Sequence, residues 1–272
     1  MTQTVQWVAT KQDERRKDII REFDKDPTIR ELSTTIKDIL INRGITTVEE
    51  VKEILDEDIM NQYNPLELKD MDNLIQHLKK FIQEEKHIVV YGDYDSDGAC
   101  ATAIAVLCLR ELGVKVDYFI NNRFVHGYGM TPLGVQDLLK CYPTTDVILT
   151  VDNGIVAFDG VNEAVKEGID VLITDHHEPL PDGTLPNALA IVDPKRLDET
   201  YPFREICGAA LIYKVMMCLY MEMNEPLDYV YSMVDIVGMA TIGDVMPLRE
   251  ENRLFVKEAV KQINRNPRYA FQ

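Results

Sequence analysis

From His87 onward, short apolar runs alternate with longer amphipathic stretches. The apolar runs are rich in β-branched residues, which is typical of strands buried on both faces of a sheet. They cover residues 87–91, 116–120, 147–151, 169–174 and 188–192. Helices are predicted between and after them, over residues 99–112, 157–167, 209–220, 229–240 and 252–263. This alternation predicts an α/β fold in which helices sandwich a parallel β-sheet, with a helical C-terminal part.

The N-terminal part has a different pattern, because residues 10–86 are charged and their apolar positions recur at helical spacing. Leu74, Leu78 and Phe81 form one such stripe, and the sequence Asn42-Arg43-Gly44 is a helix stop. We therefore predict a helical lead-in over residues 1–86, packed on a domain that comprises residues 87–272.

Charge and cysteine content restrict the class of protein. The chain carries 29 basic and 46 acidic residues, a net charge of −17, which argues against non-specific nucleic-acid binding through a broadly basic surface. A local basic groove remains compatible with this balance. The five cysteines form no C-x-x-C pair, so buried free thiols and a reducing cytoplasm are expected. The longest apolar run covers residues 99–109, and a helix that spans a bilayer needs about 20 residues.

Polar side chains follow four of the predicted strands at the point where each strand ends. In an open parallel sheet, ligands bind beyond these carboxyl ends. The side chains concerned are six carboxylates and two imidazoles, namely Asp93, Asp95, Asp97, Asp152, Asp175, Asp193, His176 and His177. If the strands are neighbours, these groups lie within reach of one another.

Carboxylates packed this closely repel one another unless a positive charge lies among them, and divalent cations are the simplest source. Asp and His ligands without thiolates suit Mn²⁺, while Mg²⁺, Co²⁺ and Zn²⁺ remain open. The ligands outnumber the needs of one ion. Two ions about 3.5–4 Å apart, bridged by a shared carboxylate, would use them and would suit phosphoester hydrolysis.

A calcium loop is an alternative interpretation of the D-x-D-x-D-G sequence that starts at Asp93. An EF-hand loop requires Glu at its twelfth position, and that position here is Ile104. The segment before Asp93 is also a predicted strand, where an EF-hand has a helix. We therefore favour the strand-end metal site.

The ordered set of motifs resembles the DHH phosphoesterase superfamily, and within it the RecJ-type single-strand-specific exonucleases. The principal motifs are residues 90–98, residues 150–155 and Asp175-His176-His177. Further similar stretches are Trp7, residues 42–45, Asn64-Pro65, residues 127–129, residues 207–210, residues 241–248 and residues 251–253. The resemblance covers nearly the whole chain.

The resemblance also implies roles for individual residues. The metal ligands that it implies are Asp93, Asp95, Asp97, Asp152, His176 and Asp244, with Asp152 the bridge between two divalent cations, Mn²⁺ first and Mg²⁺ as the alternative. It makes Asp152, His176 and His177 catalytic, and His177 contacts the scissile phosphate and helps to protonate the leaving oxygen. Asp175 orients the motif from behind the ligands. Arg123, His126 and Tyr128 contact substrate, although RecJ-like chains carry an acid where this chain has His126.

The resemblance implies a metal-dependent 5′→3′ exonuclease that releases mononucleotides from single-stranded DNA in DNA repair and recombination. A cytoplasmic location follows, and a single-strand-binding protein or a helicase is a candidate partner. RecJ enzymes continue into a DHH-associated domain with a G-G-H motif and into an oligonucleotide-binding fold. This chain stops at Gln272 without either, so we expect a fragment or a stand-alone catalytic domain.

Two other functions remain open at this point. One is a DHH phosphodiesterase acting on short oligonucleotides or cyclic dinucleotides. Those relatives carry His four residues before the first Asp of a D-x-D pair, whereas this chain has Tyr91 there if the pair begins at Asp95. The other is a non-catalytic repair or replication scaffold, against which the full set of acidic and histidine positions argues.

Overall fold

The apolar runs after residue 87 form a five-stranded parallel sheet in the computed structural model, which describes residues 15–55 and 58–272. The strand order is β2-β1-β3-β4-β5. The strands are β1 Ile88–Gly92, β2 Val116–Ile120, β3 Val147–Val151, β4 Asp170–Thr174 and β5 Ala190–Val192. Each strand overlaps its predicted range, and the predicted α/β class is confirmed.

The chain divides into two units, residues 1–58 and 59–272. The described helices of the smaller unit are α1 Arg16–Phe23, α2 Pro27–Arg30, α3 Thr34–Asn42 and α4 Val48–Leu55. Helix α3 ends where the Asn42-Arg43-Gly44 stop predicts, and Gly44 has a φ of 84° that suits glycine. The core of this unit consists of Ile19, Phe23, Ile29, Ile41 and Val51. Trp7 lies outside the described residues.

Helices cover both faces of the sheet in the larger unit. They are α5 Met71–Gln83, α6 Ser96–Glu111, α7 Arg123–His126, α8 Pro132–Cys141, α9 Phe158–Lys166, α10 Gly208–Met223, α11 Asp228–Tyr231, α12 Val234–Gly243 and α13 Glu250–Arg265. Short 3₁₀ turns lie at Ile59–Asn61, Pro65–Glu67 and Tyr269–Phe271. The domain boundary at residue 87 stays a prediction, and α5, which precedes it, shares the core of the sheet.

Alternate side chains of β1 enter different cores, as expected for a strand buried on both faces. Ile88 and Val90 join a core built with α5, α6, α10 and α12. Val89 and Tyr91 join a second core built with α8 and α9. Every residue of β1 and β3 is buried, which explains the continuous apolar runs in the sequence.

Some helices differ from their predicted ranges. Helices α7 and α8 were not predicted, although Thr131 caps α8 through Gly134 N and Pro132 occupies its first turn, both of which are helix-start signals. The helix predicted over residues 229–240 is two helices, α11 and α12, separated at Ser232 and Met233. All five cysteines are free thiols, and Cys141 is exposed while the others are buried. The described residues contain no helix long and apolar enough to cross a membrane.

Candidate metal centre

The carboxyl ends of four strands lie level with one another, which places their following residues at one edge of the sheet. Gly92 pairs with Val151, Val151 with Thr174, and Thr174 with Val192. Asp93, Asp152, Asp175 and Asp193 each follow directly after these aligned residues, and all four are buried. The predicted convergence of the strand ends is thus present in the fold.

The tight turn from β1 into α6 carries three of the carboxylates, two in the loop and one in the first turn of the helix. Asp95 caps α6 by accepting a hydrogen bond from Gly98 N at 2.9 Å, and its side chain remains exposed. A β-carbon at Gly98 would lie 2.6 Å from the carbonyl oxygen of Asp93, so the turn requires glycine there. Asp97 follows in the first turn of α6 and is 1% exposed.

The N-terminus of α10 holds the Asp97 carboxylate. Gly208 N donates to Oδ2 at 2.6 Å, and Ala209 N donates to Oδ1 at 2.9 Å. These N–H groups are unpaired within the helix, and the positive end of the helix dipole favours a carboxylate there. A β-carbon at Gly208 would lie 2.6 Å from Asp152 Cβ, so this glycine allows the helix to approach the site.

His176 and Asp152 form the buried centre of the cluster. The Nε2 atom of His176 lies 2.9 Å from Asp152 Oδ1, 3.4 Å from Asp97 Oδ2 and 3.8 Å from Asp244 Oδ2. Although Nε2 of His176 is close to Asp152 Oδ1, that contact lacks hydrogen-bond geometry, and both oxygens of Asp152 and Nδ1 of His176 are buried without a hydrogen-bond partner. Buried polar atoms are usually paired, so these atoms indicate that a ligand belongs among them.

Asp244 reaches this centre from a helix distant in sequence. It follows the last residue of α12, at the negative end of the helix dipole, where a carboxylate is unfavourable. Burial, and then the nearby Asp97, raise the pKa of Asp244. Its position beside His176 depends on the packing of α12 against α6 and α10.

Asp175 organises the histidine pair from beneath. Its Oδ1 accepts hydrogen bonds from His176 N at 2.8 Å and from His177 Nδ1 at 2.7 Å, while Oδ2 accepts from Ile155 N at 2.8 Å. Burial acts to raise the pKa of Asp175, but the bond from His177 and the other donors bring it below its usual value. Burial acts to lower the pKa of His177, and the bond to Asp175 outweighs it and raises that pKa.

The cluster carries more negative charge than a buried site tolerates alone. Burial, then Asp97 and Asp175, raise the pKa of Asp152 to about 10, and burial also raises the pKa of Asp93. Burial, then Asp175, raise the pKa of Asp193 to about 8. A divalent cation would relieve this crowding by favouring the ionised carboxylates.

Among the described residues, three overlapping groups of side chains have ligand atoms within 4.8 Å of one another, and each contains Asp152 or His176. They are Asp93, Asp95 and Asp152; Asp152, His176 and His177; and Asp97, His176 and Asp244. All six residues predicted as ligands lie in these groups, so the structure brings the set together. The donor set of carboxylate and imidazole, together with the unpaired buried atoms, fits divalent cations.

The loop from residue 121 to residue 131 places the three predicted substrate residues differently. Tyr128 is 51% exposed, and its ring meets the His177 ring edge-on at 5.8 Å between centroids. Arg123 lies over the Tyr94 ring, 5.5 Å from its centroid. His126 turns inward, with Nδ1 accepting from Asn122 N at 2.9 Å and Nε2 lying 3.1 Å from Asp137. Both ring nitrogens of His126 are therefore engaged within the protein.

Sequence reasoning did not assign a role to several residues that build the site. Gly208 and Ala209 hold Asp97 through backbone N–H groups, and their helix-opening position was the available signal. Asp193 ends β5 with one buried oxygen unpaired, and it was noted only as a strand end. A cavity of about 300 Å³ also opens beside His177, between Tyr128 and the start of α9.

Comparisons with known proteins agree with this geometry. The single-stranded-DNA-specific exonuclease RecJ of Bacillus subtilis (strain 168) is 34% identical over 87% of this chain and 29% of that protein. RecJ of Escherichia coli (strain K12) is 32% identical over 86% of this chain and 41% of that protein. The chain thus spans less than half the length of these relatives.

Solved structures of RecJ share the fold. The crystal structure of exonuclease RecJ bound to manganese superimposes with a TM-score of 0.64 at 33% identity, over 72% of this chain and 48% of that chain. The structure of RecJ from Thermus thermophilus in complex with Mn²⁺ gives 0.68 at 28% identity, over 92% of this chain and 33% of that chain. The sequence model of the DHH family, N-terminal domain, matches residues 87–241, more than half of the chain. This chain therefore belongs to the DHH family, and its sequence and fold are similar to those of RecJ.

Proposed function

We propose that this chain is the catalytic part of a metal-dependent phosphodiesterase, a 5′→3′ exonuclease that releases mononucleotides from single-stranded DNA in repair and recombination. The observation that carries this proposal is the set of three overlapping ligand groups around the unpaired oxygens of Asp152. The similarity to RecJ supports the choice of substrate.

The proposed cofactors are two divalent cations, Mn²⁺ first and Mg²⁺ as the alternative. Asp93, Asp95, Asp97, His176 and Asp244 would hold them, with Asp152 shared between the two. When bound, such cations neutralise phosphate charge and activate water for in-line attack. The choice of Mn²⁺ agrees with the RecJ structures that contain manganese and with the mixed oxygen and nitrogen donor set.

The protein's own groups position the substrate and move the proton. Asp175 fixes the His177 ring through Nδ1, which leaves Nε2 to face the scissile phosphate. The bond to Asp175 raises the pKa of His177, which favours the protonated ring that can pass a proton to the leaving oxygen. Arg123 and Tyr128 contact the strand, and His126 acts through the shape of their loop.

The wider biological role is part of the same proposal. Single-stranded DNA is the partner, with a single-strand-binding protein or a helicase acting beside it in the cytoplasm. We propose that residues 1–86 are a helical lead-in and that residues 87–272 form the catalytic part, which agrees with the family match beginning at residue 87.

The decisive experiment is incubation of the purified chain with 5′-labelled single-stranded DNA and Mn²⁺. We expect the wild type to release labelled mononucleotide and Asp152→Ala to release none, because the shared ligand is lost. Asp228→Ala is the control, since Asp228 follows the far end of α10 from the site. Equal cleavage by Asp152→Ala and the wild type would refute the assignment of the centre.

A further inference from the structure

The aromatic ring of Phe124 is almost fully exposed to solvent. Phe124 lies on α7, within the segment 121–131 that borders the metal centre. It is 97% exposed, although phenylalanine is normally buried, and Val125 beside it is 57% exposed. Neither residue belongs to a motif identified in the sequence. Phe124 lies between Arg123 and Tyr128, which are both proposed to contact substrate, so its exposed ring is available to the same strand.

The loop that carries Phe124 is held firmly from within. Asn121 Nδ2 donates to the carbonyl oxygens of Gly127 and Gly129 at 3.1 and 3.0 Å. Phe124 N donates to Asn122 Oδ1 at 3.0 Å, and His126 is fixed through both ring nitrogens. The ring is therefore exposed on an anchored backbone, so binding against it costs little additional ordering.

Two neighbours connect Phe124 to the reactive centre. Arg123, directly before it, lies over the ring of Tyr94, which stands between Asp93 and Asp95. Tyr128, four residues after it, contacts His177. We call Tyr94, Phe124 and Tyr128 the aromatic rim, because all three lie on loops that border the ligand groups.

The charge of the chain makes stacking the natural means of binding a strand. A net charge of −17 gives little of the phosphate attraction that usually supplies non-specific affinity. Aromatic side chains bind unpaired bases of any sequence, because every base has a π-face. Such contacts also select against duplex, whose bases are already stacked.

We propose that the Phe124 ring stacks on an unpaired nucleobase of the substrate strand and gives sequence-independent selection for single strands. This inference rests on the proposed function and adds a base-binding residue to it. Arg123 contacts the phosphate of the same strand, and Tyr94 acts as a positioning residue that holds the Arg123 guanidinium.

The test compares two labelled ten-nucleotide oligomers, one of thymidine and one with abasic tetrahydrofuran units on the same backbone. Binding is measured by stopped-flow anisotropy in Mn²⁺, before hydrolysis proceeds. Phe124→Ala should weaken binding of the thymidine oligomer about tenfold and leave the abasic oligomer unchanged. Phe124→Trp should retain the wild-type preference, because a ring remains.

Tyr269→Ala is the matched control. Tyr269 is 92% exposed, but its neighbour Arg268 pairs with Asp235, at the opposite end of α12 from Asp244. This control should bind both oligomers as the wild type does.

Four outcomes would overturn the inference. An equal loss on both oligomers would make Phe124 a support of the loop, and no loss on either would leave it outside the substrate path. Self-association of the wild type that Phe124→Ala abolishes, with oligomer binding unchanged, would show a protein contact instead. A wild type that binds neither oligomer would refute the proposed function together with the stacking role.

Discussion

Gly208→Ala tests whether the start of α10 sets the position of the metal centre. This glycine donates its N–H to Asp97, and a β-carbon at this position would meet the side chain of Asp152. The substitution keeps the N–H and adds a single methyl group. Any effect on the site therefore comes from the lost space and not from a lost donor.

The expected magnitude follows from the distances. The new methyl carbon would lie 2.6 Å from Asp152 Cβ and 2.8 Å from Oδ1, whereas carbon atoms in contact prefer about 3.5–4.0 Å. Asp152 or the helix must move by about 1 Å. This is twice the displacement of about 0.5 Å that a preorganised site tolerates. We expect Mn²⁺ affinity to fall about 10–100-fold, as when groups that orient metal ligands are altered.

The cost to the metal-free stability should be limited. Overpacking costs about 1–3 kcal/mol, and alanine favours a helix over glycine by about 1 kcal/mol. The free energy of unfolding in EDTA should therefore fall by no more than about 2 kcal/mol.

Isothermal titration with Mn²⁺ and urea unfolding in EDTA separate the two effects. Gly160→Ala is the control, because its β-carbon would lie 2.2 Å from the carbonyl oxygen of Met130, and its helix, α9, carries none of the proposed ligands. It should lose stability without losing Mn²⁺ affinity. Wild-type Mn²⁺ affinity in Gly208→Ala would refute the claim that this close approach positions Asp152.

Three further substitutions test the energetics of the fold. In EDTA, Asp152→Asn should raise the free energy of unfolding by at least about 1 kcal/mol, the order of energy that one pKa unit represents. The gain should be larger at pH 8 than at pH 5. Above the unfolded pKa of about 4, the carboxyl ionises in the unfolded chain but stays protonated in the folded one, so the wild type loses stability as the pH rises and the Asn variant does not. An equal gain at both pH values would contradict this. Val245→Asn should stabilise by about 1 kcal/mol in urea unfolding, because the exposed valine has a φ of 57°, whereas Val260→Asn in α13 should not stabilise. Lys214→Met should lower the free energy of unfolding by about 3–5 kcal/mol in the same assay, because it leaves the buried charge of Glu251 without its cation. Adding Glu251→Gln should restore part of this free energy. If it restores none, the loss comes from packing and not from charge.

The strands and the residues at their ends follow from the local pattern of the sequence. Continuous apolar runs mark strands buried on both faces, because each face of the sheet packs against helices. The polar residues directly after β1, β3 and β4 then meet at one edge, because parallel strands point the same way. Asp93, Asp152 and Asp175 could therefore be placed together before the strand order was known.

Contacts across the chain needed the tertiary structure. Gly208 N reaches Asp97 over 111 residues, and no local pattern announces that contact. Asp244 lies at the end of a helix, where sequence gives no reason to place a ligand. Asp244 lies beside His176 because α12 packs against α6 and α10.

The direction in which side chains point was likewise decided by the fold. His126 and Phe124 lie two residues apart on one short helix, and the resemblance implies His126, with Arg123 and Tyr128, as substrate contacts. The structure turns His126 inward to Asp137 and leaves Phe124 exposed. Local sequence encodes periodicity and helix caps over a few residues, whereas which face of a loop meets the protein depends on elements that arrive from elsewhere in the chain.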